Sequence, residues 1–206
     1  MTEVELTRRE RKKDETKRRI FKAAVKLFRD KGFEATTVDE ITERADVAKG
    51  TFFNYFPKKE AVLGYLSEMR LVEAEQRADA ILAARQPVRE KIIALYGDAA
   101  TAYEEDRELS YYAMMESMRR AFQPEQDVHQ RWHSLVVRVI EQGQAGGDVR
   151  REVDARRTVH VLGSVYMGTL ITWLGCPEAQ FPLQDELKQR LSLVLDGMSA
   201  PVLEVS

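Results

Sequence analysis

One cysteine and three histidines in 206 residues remove several classes of protein at once. A lone Cys176 builds neither an internal disulfide framework nor a cysteine metal cluster, and reads as a packed thiol. A di-iron helical bundle needs Glu-x-x-His pairs, but Gln126, Gln130 and Arg157 stand three places before His129, His133 and His160. The chain has no His-Glu-x-x-His, no phosphate-binding loop and no Gly-x-Gly-x-x-Gly; Gly143, Gly146 and Gly147 read as a helix-ending loop. The expectation is a protein that is not an enzyme and needs neither metal nor cofactor. The first thirty residues lack the apolar core of a signal peptide, which points to the cytoplasm. Thr158–Pro177 is free of Asp, Glu, Lys and Arg for twenty residues, enough to span a bilayer. It is interrupted by His160, Gly163, Gly168 and Gly175, so a helix covered on two faces by protein is expected, with no membrane partner.

The net charge of −2 conceals a division. Residues 1–60 carry 16 basic against 12 acidic side chains and the remainder 16 against 22. The basic excess is concentrated in residues 8–31, with 12 against 4. A positive segment on an acidic protein suits either contact with a polyanion or a solvated helix face.

The periodicity is helical throughout, and the expected fold is all-α. Residues 1–13 read as a flexible basic arm. Ile20, Ala23, Ala24, Leu27 and Phe28 mark one face of a helix that ends at Lys31-Gly32. Thr37-Val38-Asp39-Glu40 matches a capping box, with Thr37 as N-cap and Glu40 reaching back. A short helix from there closes at Asp46-Val47-Ala48. A second begins at Lys49 and stops at Phe56, because Pro57 disfavours helical geometry before it. Further helices are expected to about Arg85 and near 87–105, 107–121, 125–145, 154–175 and 183–198. The β-branched run Val136–Ile140 is the one ambiguous stretch.

Thr37–Phe56 is therefore two short helices joined by a tight turn, the arrangement that places its second helix in the DNA major groove. With Phe52 and Phe56 inward, the helical rotation of about 100° per residue directs Asn54 and Gly50 outward. Asn pairs bidentately with adenine, and a glycine lets the backbone approach. Phe53 beside them suits a thymine methyl, or else the core. Tyr55 suits a phosphate. Lys49, Lys58 and Lys59 bracket the helix, and Thr36, Thr37 and Thr51 lie near helix N-termini that favour phosphate.

The run TTVDEITERADVAKGTFFNYFPKKEAVL (Thr36–Leu63), preceded by the Ile20–Gly32 helix, resembles the DNA-binding domain of the TetR family of transcription regulators over about residues 14–74. The resemblance implies an all-helical homodimer. In it a three-helix N-terminal head with its helix-turn-helix at 37–56 is joined to a larger effector-binding and dimerisation body, here 75–206. It implies double-stranded DNA with a pseudo-palindromic operator as one partner and a small-molecule effector as another. Thr36, Thr37, Lys49, Thr51, Tyr55 and Lys59 match positions that contact phosphates or the groove, and Gly50, Phe53 and Asn54 match its groove-facing part. The family pattern has tyrosine where this chain has Phe53, which bears on sequence preference.

In the body, the stripe Leu187, Leu191, Val194, Leu195 and Met198, with the uncharged helix before it, makes 154–175 and 183–198 the candidate dimer helices. Aromatics and methionines in the central helices suit an adaptable pocket for a mostly apolar molecule. Tyr103, Tyr111, Met115, Trp132 and Tyr166 are its candidate lining, although the same residues at helical spacing also serve as core.

Overall fold

The computed structural model describes residues 8–120, 127–175 and 181–198, the side chains of 120 and 127–129 excepted. Cys176, the breaks expected at Pro124 and Pro177, and the ends of the chain lie outside them. The described residues form helices α1 (Arg8–Lys31), α2 (Val38–Arg44), α3 (Lys49–Tyr55), α4 (Glu60–Ala83), α5 (Val88–Glu104), α6 (Arg107–Arg120), α7 (Asp127–Gly146), α8 (Ala155–Gly175) and α9 (Leu183–Met198). The fold is all-α, and Val136–Ile140 lies within α7.

The first helix starts earlier than its apolar face announces. The expected arm ends at residue 13, yet Arg8–Lys13 are already helical. Arg, Glu and Lys are strong helix formers, and periodicity is blind to a turn that buries nothing. Ile20, Ala23, Ala24 and Phe28 are the buried face of α1. Its end is set by Gly32, at φ +88°, whose N–H donates to the Phe28 carbonyl at 2.9 Å. Glycine occupies this left-handed position without the clash a Cβ would bring.

The chain divides into two compact units. The first takes the chain up to Ser67 and, after a long excursion, α6 from Glu108 onward. Its core joins Ile20, Ala24 and Phe28 to Ile41, Ala45, Phe52, Phe56, Val62 and Leu63, and also to Leu109 and Ala113 of α6. Tyr112 of α6 lies against Phe33 at 4.9 Å between ring centroids, and Ser67 Oγ donates to the Ala113 carbonyl at 3.3 Å. Glu116, almost fully buried on α6, accepts from Arg119 at 2.6 and 2.8 Å and faces Lys58 at 3.9 Å.

The second unit takes Glu68–Arg107 and the chain from α7 onward. Within it α9 packs on both α5 and α8, and α7 on α5 and α8. Gly143 of α7 permits a close crossing: a Cβ there would meet Val88 Cγ2 at 2.5 Å and Val149 Cγ2 at 2.9 Å. Gln184 of α9 donates to the Gly97 carbonyl at 3.0 Å and to Thr101 Oγ1 at 3.3 Å on α5. No helix among the described residues is long and apolar enough to cross a membrane.

The stripe assigned to the dimer turns inward. Leu187, Leu191, Leu195 and Met198 are buried within the chain itself, because a stripe of that width on α9 is what packing against α5 and α8 consumes. The large apolar side chains left open on these last two helices are Val161, Ile171 and Leu193, the last 77% exposed.

Candidate DNA interface and the body cluster

Two short helices are held at a fixed angle by local chemistry. Thr37, in extended conformation, accepts from the Glu40 N–H at 3.3 Å, and Glu40 accepts from the Thr37 N–H at 2.9 Å. That reciprocal pair satisfies donors that a helix start leaves open. Lys31 closes the same carboxylate from α1. Hydrogen bonding from Lys31, then from Thr37, holds the Glu40 carboxyl down at about 2. The turn into α3 passes through Asp46 at φ +50°, a region that Asp and Asn tolerate better than other side-chain-bearing residues. The Arg19 guanidinium reaches the Asp46 carbonyl at 3.4 Å, so α1 braces the turn.

The short recognition-type helix α3 is anchored by its aromatic face. Phe52 is fully buried and Phe56 nearly so, their ring centroids 5.8 Å apart. Phe56 continues to Tyr65 at 5.9 Å, and the Lys17 ammonium lies 3.9 Å from the Tyr65 ring centroid. Opposite this anchor, Gly50 and Asn54 are exposed. A Cβ at Gly50 would meet nothing within 4 Å. Phe53 is 45% exposed and meets Phe52 edge-on at 5.4 Å, so it joins the outward face. Lys49 is exposed and pairs with Asp39 of α2 at 2.7 Å; Thr51 and Tyr55 are half-buried, and Tyr55 packs against the core.

Thr36 and Lys59 turn inward. The Thr36 side chain is buried, its hydroxyl donating to the Gly32 carbonyl at 2.8 Å. Lys59 Nζ donates to the carbonyls of Phe33, Thr36 and Glu34 at 2.8, 2.9 and 3.3 Å. It also sits 4.3 Å from the Phe33 ring centroid. An ammonium has three donors, and all three are committed to the loop between α1 and α2. Sequence reasoning missed this because a lysine beside a DNA-facing helix looks the same whether it points to phosphate or to backbone.

Residues 20–66 match the family model described as bacterial regulatory proteins, tetR family. This stretch is a TetR-type DNA-binding domain. The HTH-type transcriptional regulator YhgD of Bacillus subtilis is 28% identical to this chain over 192 residues, covering 89% of this chain and 97% of that one. The HTH-type transcriptional repressor KstR2 of Rhodococcus jostii is 25% identical over 185 residues, covering 86% and 88%. Among solved structures, the TetR-family repressor FadR of Thermus thermophilus in complex with lauroyl-CoA matches with a TM-score of 0.71 and 26% identity. That match covers 92% of this chain and 98% of FadR. By these likenesses the chain is a DNA-binding transcription regulator and not an enzyme.

The five residues expected to line an effector site are divided between the two units. Tyr111 and Met115 lie on α6 in the first unit, 42% and 50% exposed. In the second unit Trp132 and Tyr166 gather round Tyr96, which sequence reasoning had passed over, and Tyr103 acts electrostatically on Tyr166. Its ring meets Trp132 at 6.0 Å and Tyr166 at 5.4 Å. Arg70 of α4 lies 5.3 Å from the Tyr103 ring centroid. Burial pushes the phenols of Tyr96, Tyr103 and Tyr166 above the ordinary tyrosine range. Against that, Trp132 donates to Tyr96, and the Arg70 charge acts on the other two. All three remain neutral hydroxyl donors at physiological pH. On the same two helices as Trp132 and Tyr166, His133 of α7 and His160 of α8 stand 4.5 Å apart between ring centroids.

Proposed function

We propose that the chain is a homodimeric repressor, acting in the cytoplasm, that holds a pseudo-palindromic operator through α3 of each subunit. A small, mostly apolar effector entering the second unit releases it. The observation that carries the DNA reading is the outward face of α3, where Gly50, Phe53 and Asn54 are exposed beside Lys49 and opposite the Phe52–Phe56 anchor. Asn54 reads a base edge, Phe53 contacts a thymine methyl and Gly50 allows the backbone close approach. Thr37, Lys49, Thr51 and Tyr55 hold the phosphates on either side. Thr36 and Lys59 shape the loop that sets the angle of α2. With phenylalanine at position 53, a methyl contact replaces the hydroxyl contact that tyrosine would make.

Two further parts of the reading rest on different observations. The exposed Val161, Ile171 and Leu193 support a dimer through α8 and α9, which would keep two α3 helices about one DNA turn, roughly 34–36 Å, apart. The likeness to a repressor bound to lauroyl-CoA supports an amphiphilic effector and a repressing sign. The Tyr96–Trp132–Tyr166 cluster supports its place. Effector entry would displace α5 and α7, which flank α6 in the chain. Because α6 is fastened to the head through Glu116, Tyr112 and Ala113, its displacement would favour the conformation that does not fit DNA.

The test is fluorescence anisotropy against duplexes selected from genomic fragments, at two salt concentrations. Binding that weakens steeply with salt is expected, since neutralised phosphates release counterions. A failure to select any fragment would overturn the proposal.

A further inference from the structure

Among the described residues of the second unit, one buried side-chain polar atom is left without a partner. His133 Nε2 is buried and has no hydrogen-bond partner among the described residues. A buried imidazole nitrogen without a partner costs stability comparable to a lost hydrogen bond, so its retention at a helix–helix contact asks for an explanation. Three features define its setting. The imidazole of His160, itself exposed, lies 4.5 Å away at a 49° tilt. Arg156, one turn before His160 on α8, is close enough to act electrostatically on His133. Trp132, the residue next to His133, belongs to the aromatic cluster with Tyr96 and Tyr166.

The electrostatic causes acting on His133 itself are all of one sign. Burial, then His160 and Arg156, push the His133 imidazole toward its neutral form; none of these causes is an acid. Of the neighbouring charged groups, Asp154 caps α8 through the Arg157 N–H at 2.9 Å, and Glu75 of α4 pairs with Arg131 at 3.4 Å. From α5 the nearby titratable group is Tyr96, already accepting from Trp132. A buried imidazole nitrogen without a partner and a second imidazole open to solvent thus stand beside a guanidinium whose one acidic neighbour, Asp154, is already engaged in capping α8.

We infer that His133 Nε2, with His160 and Arg156 beside it, docks an anionic group of the effector, a carboxylate or a phosphate, whose apolar body lies along Trp132, Tyr96 and Tyr166. This deepens the effector reading above and rests on it. An anion at that point reverses the balance at His133: the imidazolium is now paired, and binding takes up a proton. Affinity therefore rises as pH falls from 8 to 6, the range over which an imidazole titrates. The bond is charge-assisted, the strong kind.

The test uses the full-length protein and three probes with one chain length: laurate, lauroyl-CoA and dodecanol. Each is titrated by calorimetry at pH 6 and pH 8, and operator release is followed by anisotropy. Wild type is compared with His133→Phe, His133→Gln and Arg156→Gln, each first shown to fold by its melting curve and to bind operator. Expected is binding of laurate or lauroyl-CoA that weakens about tenfold or more in His133→Phe, with little change for dodecanol. Gln keeps a neutral donor but takes up no proton, so His133→Gln should reduce the pH dependence while retaining part of the affinity. Preference for laurate identifies a carboxylate as the anion, and response to lauroyl-CoA alone identifies phosphate. Equal binding of dodecanol and the anions, or anion binding indifferent to position 133, overturns the inference while leaving an effector-responsive repressor intact. If none of the three probes binds or shifts operator affinity, the amphiphilic effector reading falls with it.

Discussion

Lys59 and Asn54 are five residues apart and lie in opposite settings, one bonded to backbone and one open to solvent. The Lys59 ammonium satisfies three backbone carbonyls between α1 and α2. Lys59→Ala leaves those acceptors short of a partner and should cost about 1–3 kcal/mol of stability, seen as a lower denaturation midpoint, with operator affinity falling as a consequence. Asn54→Ala, on an exposed position, should leave the midpoint unchanged and abolish discrimination between operator and scrambled duplex, by about 1–3 kcal/mol. Asp46 offers a third test, because its φ of +50° is what lets α3 leave α2 so abruptly. Asp46→Val should destabilise by about 1–3 kcal/mol in urea titrations, and Asp46→Asn by much less. The outward and inward positions of α3 were legible from rotation alone, since Phe52 and Phe56 are too apolar to face anything but core. The roles of Thr36 and Lys59 were not. Hydrogen bonds to backbone carbonyls depend on where a loop passes, and loop paths leave no periodicity.

Among the helices, α2 shows how much of an element its first four residues can specify. Thr37 and Glu40 form both bonds that their spacing predicts, and the low Glu40 pKa of about 2 is the signature of a carboxylate that must stay charged. The folded value lies below the ordinary 4.5, so the contribution is fully present above that pH and fades as pH falls toward 2. Urea midpoints of wild type should drop between pH 5 and pH 3, and those of Glu40→Gln should drop less. A comparison that showed identical slopes would remove the carboxylate from the account. Thr37→Ala should cost about 1 kcal/mol at neutral pH. The limits of α9 were equally readable, Leu183 to Met198, but the use of its apolar stripe was not. A stripe records that a face is covered, and it is silent on whether the cover comes from the same subunit or another. The same blindness hid the first turns of α1, whose Arg8–Lys13 bury nothing.

At the level of the molecule, the dimer and the division into units carry the remaining expectations. If α8 and α9 form the subunit contact, Ile171→Asp with Leu193→Asp should give a monomer by sedimentation, and operator affinity should fall at least tenfold, because two α3 helices no longer act at fixed separation. A variant that remained dimeric would place the contact elsewhere. The order of the chain suggests a head followed by a body, as the sequence reading had it. The structure instead returns α6 to the head after the chain has already entered the body. That detour has a consequence for anyone wishing to splice regulators. A cassette cut after α3, or anywhere in α4, would leave Leu109 and Ala113 behind in the donor and uncover the part of the head core that they complete. A foreign body would have to bring its own α6 with matching side chains, so the portable reader of this operator is a discontinuous module rather than an N-terminal piece.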